Sequence, residues 1–216
     1  MEYSIFGMFV TVAVAHFLAL ISPGPDFILV VKSAVKNGNK KSIGVAAGIA
    51  SANAVYISLC LIGVGSILAS SLILLVALKV AGGLFLIYLA IIALLAKKSS
   101  YKDMSVIKQN TCNVETNFAR EYVTGFMSGI LNPKNLLFYM SLFTVVLTQD
   151  VNMSFKVTLG IWMTSVVFLW DLFIIYLLST SKVQNKFSKI SYYLDKVTGA
   201  VLGLIGLKIL KSALTK

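Results

Sequence analysis

Long apolar runs alternate with short polar clusters along the whole chain. Each run is at least as long as the roughly 20 residues that a helix needs to cross the hydrocarbon core of a bilayer. The runs do not alternate apolar and polar positions with a period of two, as barrel strands do. The pattern therefore predicts six membrane-spanning helices, over residues 4–35, 42–67, 70–96, 120–147, 154–180 and 191–213.

The composition agrees with this pattern. Of the 216 residues, 58% are hydrophobic and 12% are charged, whereas soluble domains are about 45 to 50% apolar and about 25% charged. Six spans account for most of the chain, so no separate soluble domain is expected. The predicted fold class is an all-α integral membrane protein in which the first and fourth of six transmembrane helices are broken.

The positive charge is concentrated in alternate connections. Thirteen of the 19 Lys and Arg residues lie in the first, third and fifth connections, while the second has none and the fourth has only Lys156. This distribution indicates membrane topology rather than a nucleic-acid surface. Because basic connections stay in the cytoplasm, both termini are predicted to lie outside.

The chain divides into two groups of three spans. Residues 97–119 are polar and are predicted to form a cytoplasmic linker between units 1–96 and 120–216. Pro23 and Pro133 lie 110 residues apart in similar contexts, and shorter matches follow in the same order. Three spans per unit make the second unit inverted. Inverted repeats with broken helices at matching positions are a recurring design of secondary transporters, which bind substrate between the breaks. The alternative to a transporter built of inverted repeats is a structural helix bundle with two ordinary proline kinks.

The first break is predicted at Pro23, Gly24 and Pro25, because proline removes amide donors and glycine permits irregular backbone. The helix should restart near Asp26 and present a positive dipole end. Irregular backbone at membrane depth is tolerated where it lines a cavity, so the break is expected to line one. Asp26 is either a capping residue or a group that binds substrate or carries a proton, since an acid inside a span is usually functional.

The second break is predicted at Asn132, Pro133, Lys134 and Asn135. Asn132 is a good N-cap and Pro133 suits the first position of a helix. Lys134 then lies where the helix dipole disfavours a cation. We therefore expect Lys134 to need a carboxylate, from Asp26 or from a substrate, unless it extends to the cytoplasmic face.

Few other residues suggest chemistry. Asp171 is a second candidate for proton coupling, with a structural acid as the alternative. His16, the only histidine, is more typical of a structural residue. Cys60 and Cys112 match neither a disulfide framework nor a zinc site, and no phosphate-binding or hydrolase motif is present. No enzyme activity, metal or cofactor is expected.

Glycines at four-residue spacing, Gly44/Gly48, Gly125/Gly129 and Gly199/Gly203, predict close helix packing.

These motifs resemble the LysE/RhtB family of amino-acid exporters. The resemblance covers nearly the whole chain and rests on Pro23-Gly24-Pro25-Asp26 with Gly38, Gly44 and Gly48, Leu78-Lys79-Val80-Ala81-Gly82 with Tyr88-Leu89, Asn132-Pro133-Lys134-Asn135 with Phe138-Tyr139, and Gly199 to Gly206. It implies a six-span inner-membrane exporter of amino acids or derivatives that is driven by the proton gradient. Its partners would be the amino acid, protons and the bilayer, with a second copy of the chain as a candidate and no nucleic acid. Tyr56 departs from the histidine or similar residue that members often carry, and residues 143–146 lack their proline.

The hypothesis is amino-acid export through a site between the breaks. The predicted substrate-binding residues are those of the two breaks, Pro23, Gly24, Pro25, Asp26, Asn132, Pro133, Lys134 and Asn135, and the proton-coupling candidates are Asp26 and Asp171. The substrate carboxylate would meet Lys134, and its ammonium group would meet Asp26 and Asp171. An inorganic cation exporter is the alternative, but it would need an acid where Lys134 stands. A thiol relay would need Cys60 and Cys112 to face each other.

Overall fold

The computed structural model describes residues 5–22, 24–70, 72–96, 116–146, 151–177 and 181–214. In these ranges the chain is helical, and the short links between helices carry the remaining residues. The helices are α1 (Ile5–Ile21), α2 (Pro25–Asn37), α3 (Asn39–Ser70), α4 (Leu72–Leu95), α5 (Phe118–Leu131), α6 (Pro133–Val146), α7 (Met153–Leu177) and α8 (Ser181–Leu214). The predicted all-α fold class is confirmed for this part of the chain.

Both predicted helix breaks are confirmed. Helix α1 ends at Ile21 and α2 begins at Pro25, with a bend of 53° between them. Helix α5 ends at Leu131 and α6 begins at Pro133. Proline begins α2 and α6 because its missing N–H is not needed in the first turn of a helix. Pro23 itself lies outside the described residues, as do residues 97–115 of the predicted linker.

The predicted last span, 191–213, agrees with the apolar segment Tyr192–Leu214. The helix that contains this segment, α8, begins about ten residues earlier, at Ser181, because a helix needs backbone hydrogen bonds along its whole length but apolar side chains only where it meets lipid or the core. Asp195 and Lys196 therefore lie well inside a helix. The other predicted boundaries agree with the observed ones to within three residues.

Three described helical segments are long and apolar enough to cross a membrane, namely Asn39–Gly63, Met153–Leu177 and Tyr192–Leu214. The bent pair α1 and α2 makes a fourth if it is counted as one span. Many large apolar side chains on the outer faces are exposed, such as Ile73 at 84% and Leu204 at 68%. Such apolar faces fit a lipid environment. The six-span inverted arrangement stays a prediction.

Glycines allow α3 and α5 to cross at very short range. A methyl group on Gly48 would lie 2.1 Å from the carbonyl oxygen of Tyr122, and one on Gly125 would lie 2.2 Å from that of Val45. Gly44 and Gly129 lie one turn away from this point on the same two helices, and substitution there would meet the partner helix at 2.5 and 2.7 Å. The predicted packing role of these glycines is confirmed.

A second close pair consists of α4 and α8. A methyl group on Gly199 would lie 2.9 Å from the carbonyl oxygen of Ala90. At the end of α4, the Lys196 ammonium group donates to the carbonyl oxygens of Ala93, Leu94 and Ala96. A cation at a helix C-terminus is favourable because the unpaired carbonyls there carry partial negative charge. Lys196 thereby joins α8 to α4.

A buried polar cluster joins α2 and α5 away from the breaks. The carboxylate of Glu121, which is 8% exposed, accepts hydrogen bonds from Ser33 Oγ at 2.5 Å and from Asn37 Nδ2 at 3.0 Å. Thr116 Oγ1 donates to the same carboxylate at 2.8 Å. The hydroxyl groups of Ser33 and Ser42 are 2.8 Å apart, which brings the start of α3 into the cluster.

Candidate functional site

A cavity of about 50 Å³ lies between the two helix breaks. It has room for roughly four water molecules, at about 10 to 15 Å³ for each. Both breaks contribute polar residues to its wall, α7 contributes Asp171, and α1 contributes His16. The remainder of the lining is mostly apolar or aromatic, including Phe27, Phe138 and Tyr139. The expectation that a helix break lines a cavity is confirmed.

Asp26 bonds to the second break. Its carboxylate accepts hydrogen bonds from Ser128 Oγ at 2.6 Å, Asn135 Nδ2 at 2.7 Å and Asn132 Nδ2 at 2.9 Å. Asp26 lies in the first turn of α2, where the helix dipole favours an acid, but its described hydrogen bonds go to the second break. A carboxylate that accepts three hydrogen bonds is well satisfied in a partly buried position.

Lys134 bonds to the first break. Its ammonium group donates to the carbonyl oxygens of Ala19 and Ser22, each at 3.2 Å. In a continuous helix the Ala19 carbonyl would accept from residue 23, but Pro23 has no N–H group to donate. Lys134 replaces that missing donor and places a positive charge at the C-terminal end of α1, where the helix dipole favours it.

The expected carboxylate partner of Lys134 stays a prediction. The hydrogen bonds of its ammonium group in the described part of the chain go to backbone carbonyls at the end of α1. The unfavourable position at the start of α6 is offset by a favourable position at the end of α1. Asn132 caps α6 as predicted, because its Oδ1 atom accepts from the Lys134 backbone N–H at 3.0 Å.

A second carboxylate lies near the first break and was missed by sequence reasoning. Asp195, on α8, is 6% exposed and accepts a hydrogen bond from Ser22 Oγ at 2.9 Å. Asp195 lies inside the predicted last span, 191–213, next to Lys196. Nothing in the sequence pairs it with Ser22, so its contact with the first break is visible only in the structure. Ser128, the third donor to Asp26, carried no sequence signal because a lone serine in a span is common.

His16 and Asp171 are the other ionisable residues of the cavity. His16 is 1% exposed, and its Nε2 atom lies 3.2 Å from the carbonyl oxygen of Met163. Aromatic rings surround it, with ring centroids 5.9 Å away at Tyr139 and 6.1 Å away at Trp162. Asp171 is 6% exposed. Among the residues that the structure describes, His16 Nδ1 and Asp171 Oδ2 have no hydrogen-bond partner.

Most of the predicted site residues meet at the cavity. Gly24, Asp26, Asn132, Lys134, Asn135 and Asp171 all line it. Pro25 and Pro133 are exposed and act at the first positions of α2 and α6. Pro23 lies outside the described residues. The structure therefore brings the two sequence motifs together although they are about 110 residues apart along the chain.

Comparisons with known proteins agree with this architecture. The family model of the LysE type translocator matches residues 17–213. The uncharacterized membrane protein YrhP of Bacillus subtilis is 29% identical over 196 residues, which cover 88% of this chain and 92% of that protein. The threonine efflux protein of Escherichia coli (strain K12) is 24% identical over 207 residues, and that of Salmonella typhi is 23% identical over 205 residues. Both of these alignments cover 95% of this chain and 98% of the relative. No solved structure gives a significant match.

A polar cavity between two broken helices in an apolar bundle is typical of membrane transporters. The chain belongs to the LysE type translocator family, because the family model covers nearly its whole length.

Proposed function

We propose that this protein exports amino acids from the cytoplasm by proton antiport, through the cavity between the two breaks. The observation that carries the proposal is the presence of Lys134 together with the acids Asp26 and Asp171 in the wall of a single cavity between the breaks. A zwitterionic substrate needs both a cation and an anion, and helix ends add partial charges of the same kind. The names of the threonine efflux relatives support an amino acid as the substrate.

Lys134 is the proposed partner of the substrate carboxylate. An ammonium group has three N–H donors, and two of those on Lys134 go to the carbonyls of Ala19 and Ser22. The third donor is available to a ligand in the described part of the structure. The positive ends of α2 near Gly24 and of α6 near Asn135 would add to the attraction.

Asp26 is the proposed proton-coupling residue, and Asp171 is the second candidate. A carboxylate only accepts hydrogen bonds, whereas a protonated carboxyl group has one oxygen that donates. Protonation of Asp26 would therefore place a hydrogen on one carboxylate oxygen. That oxygen would then face the amide N–H groups of Asn132 and Asn135 as a donor and could no longer accept from both of them. Loss of these bonds would loosen the contact between the breaks and allow the two units to rock, as alternating access requires.

The proposed architecture has two inverted units, 1–96 and 120–216, and a cytoplasmic linker at 97–119. Helix α3 packs against α7 and helix α4 packs against α8, so each of these helices contacts its counterpart in the other unit. The basic connections would face the cytoplasm of the bacterium, with both termini outside. A second copy of the chain stays a candidate partner.

The function is tested by uptake of labelled amino acids into everted membrane vesicles, beginning with L-threonine. In everted vesicles an exporter accumulates substrate inside, and a proton antiporter does so only while the interior is acidic. We expect accumulation with the wild-type protein and none with Asp26→Asn or Lys134→Ala, both inserted at wild-type levels. Full activity in both variants would remove this site from consideration. Accumulation that persists after the pH gradient is collapsed would refute proton coupling alone.

A further inference from the structure

The cavity contains two buried acceptor atoms that no donor in the described chain satisfies. Asp171 Oδ2 is a carboxylate oxygen, and His16 Nδ1 is a ring nitrogen. Asp171 is 94% buried and His16 is 99% buried, as the complements of their 6% and 1% exposure. A buried polar atom without a hydrogen bond costs about 1 to 3 kcal/mol, so two in one cavity require an explanation.

The hydrogen bonds of His16 define the chemistry of its free nitrogen. A carbonyl oxygen can only accept, so the contact between His16 Nε2 and the Met163 carbonyl at 3.2 Å requires a proton on Nε2. In the neutral ring Nδ1 then carries a lone pair and is an acceptor. The cavity therefore presents two acceptors, one of them on an acid, and the complementary ligand group is a cationic donor.

Asp26 does not offer the same opportunity. Its carboxylate already accepts three hydrogen bonds, from Ser128, Asn132 and Asn135. A ligand ammonium group would have to compete with these donors, which also hold the two breaks together. Asp171 Oδ2 has no donor among the described residues, so a ligand donor at this atom would replace no hydrogen bond in the described structure.

We infer that Asp171 and His16 form the subsite for the substrate ammonium group, and that Asp26 instead links the breaks. An ammonium group supplies three N–H donors, enough for Asp171 Oδ2 and His16 Nδ1. The rings of Phe138 and Tyr139 line the same cavity, and aromatic faces also attract cations. This inference rests on the proposed function.

The test compares two substrates that differ only at the amino group. L-threonine and 2,3-dihydroxybutanoate have the same carbon chain, but a hydroxyl group replaces the ammonium group in the second. Each competes for binding of labelled L-threonine to the purified protein in detergent, and the measured quantity is the ratio of the two inhibition constants. We expect the wild-type protein to favour L-threonine at least tenfold and Asp171→Asn to reduce that preference at least tenfold. Asp171→Glu should retain most of it.

Asp26→Asn is the matched control, because it removes the other acid of the cavity. Its transport should stop, while its preference for binding L-threonine over the hydroxy acid stays within about twofold of wild type. If Asp171→Asn does not fold, His16→Leu removes the second acceptor and should lower the preference at least threefold. An unchanged preference in the Asp171 or His16 variant, or a preference lost in Asp26→Asn alone, overturns the inference. A wild-type protein that transports no amino acid contradicts the proposed function itself.

Discussion

Asp26 and Lys134 each bond to the helix break that the other one occupies. The Asp26 carboxylate accepts from Asn132 and Asn135, and the Lys134 ammonium group donates to the carbonyls that close α1. Each charged side chain therefore supplies a hydrogen-bond partner to polar groups at the break in the other half of the chain. Because unsatisfied polar groups are costly at membrane depth, each break depends on the other for its stability.

Replacing Lys134 should destabilise the protein as well as stop transport. Lys134→Met keeps the length of the side chain but leaves the carbonyls of Ala19 and Ser22 without this donor, at a cost of about 1 to 3 kcal/mol for each buried group. We expect a clear fall in the unfolding temperature of the purified protein in detergent. Lys40→Met, on an exposed lysine, is the control and should leave the unfolding temperature unchanged. Equal unfolding temperatures for both variants would show that Lys134 does not support the break.

Asp26 and Asn135 should be energetically coupled. Asp26→Asn places two amide groups together, and Asn135→Asp places two carboxylates together, so each single change should destabilise the protein. The double variant restores one carboxylate and one amide, with the charge moved to the other break. A double-mutant cycle on thermal unfolding should give a coupling energy of about 0.5 to 3 kcal/mol, the usual range for residues in contact. Additive effects would indicate that the 2.7 Å contact is energetically unimportant.

The sequence was sufficient to locate the breaks but not their contacts. Proline positions determine where a membrane helix must stop, since no other residue lacks the N–H group. Pairing between the breaks depends on how the helices cross, and no local pattern records that geometry. For this reason the sequence identified Lys134 as a residue needing a partner but could not predict its hydrogen bonds to the carbonyls of Ala19 and Ser22.

The same distinction explains Asp195. Hydropathy places residue 195 inside the predicted last span, but it cannot show which helix its side chain meets. Asp195 is a buried acid that bonds to Ser22, 173 residues earlier in the chain. The glycine pairs were easier to predict, because spacing of four residues places both on one face of a helix.

The crossing of α3 and α5 should not tolerate a methyl group. Gly48→Ala would place a carbon atom 2.1 Å from a backbone carbonyl oxygen, so the helices would have to move apart at a cost of typically 1 to 3 kcal/mol. Gly63→Ala, on the same helix, meets nothing within 4 Å and is the matched control. Thermal unfolding in detergent should separate the two variants by several degrees. A Gly48→Ala protein as stable as Gly63→Ala would contradict the observed crossing distance.

The Glu121 cluster should stabilise the contact between α2 and α5. Glu121→Ala removes the acceptor of Ser33 and Asn37, and a buried donor left without a partner costs about 1 to 3 kcal/mol. We expect a lower unfolding temperature and faster proteolysis of the detergent-solubilised protein. The neighbouring Arg120 is exposed, so Arg120→Ala should have little effect on either measurement. Similar losses in the two variants would argue against a specific role for the cluster.

The predicted topology can be tested with a cysteine that the chain already has. Cys112 lies in the predicted cytoplasmic linker, and the other cysteine, Cys60, is buried. In a Cys60→Ser variant, a membrane-impermeant maleimide should label Cys112 in intact cells only after permeabilisation. An added cysteine at Asn152, which is exposed in the predicted outer connection, should be labelled without permeabilisation. The opposite labelling pattern would reverse the proposed orientation.

The reciprocal bonding of the two breaks also imposes an order on biogenesis. Ala19 and Lys134 are separated by 115 residues, so the first break enters the membrane before its cationic partner has been synthesised. At about 5 to 20 residues per second, the ribosome needs roughly 6 to 23 s to reach Lys134. During that interval the Ala19 carbonyl lacks the donor that Lys134 supplies in the finished structure. The two breaks can therefore pair only after the start of the second unit has been synthesised.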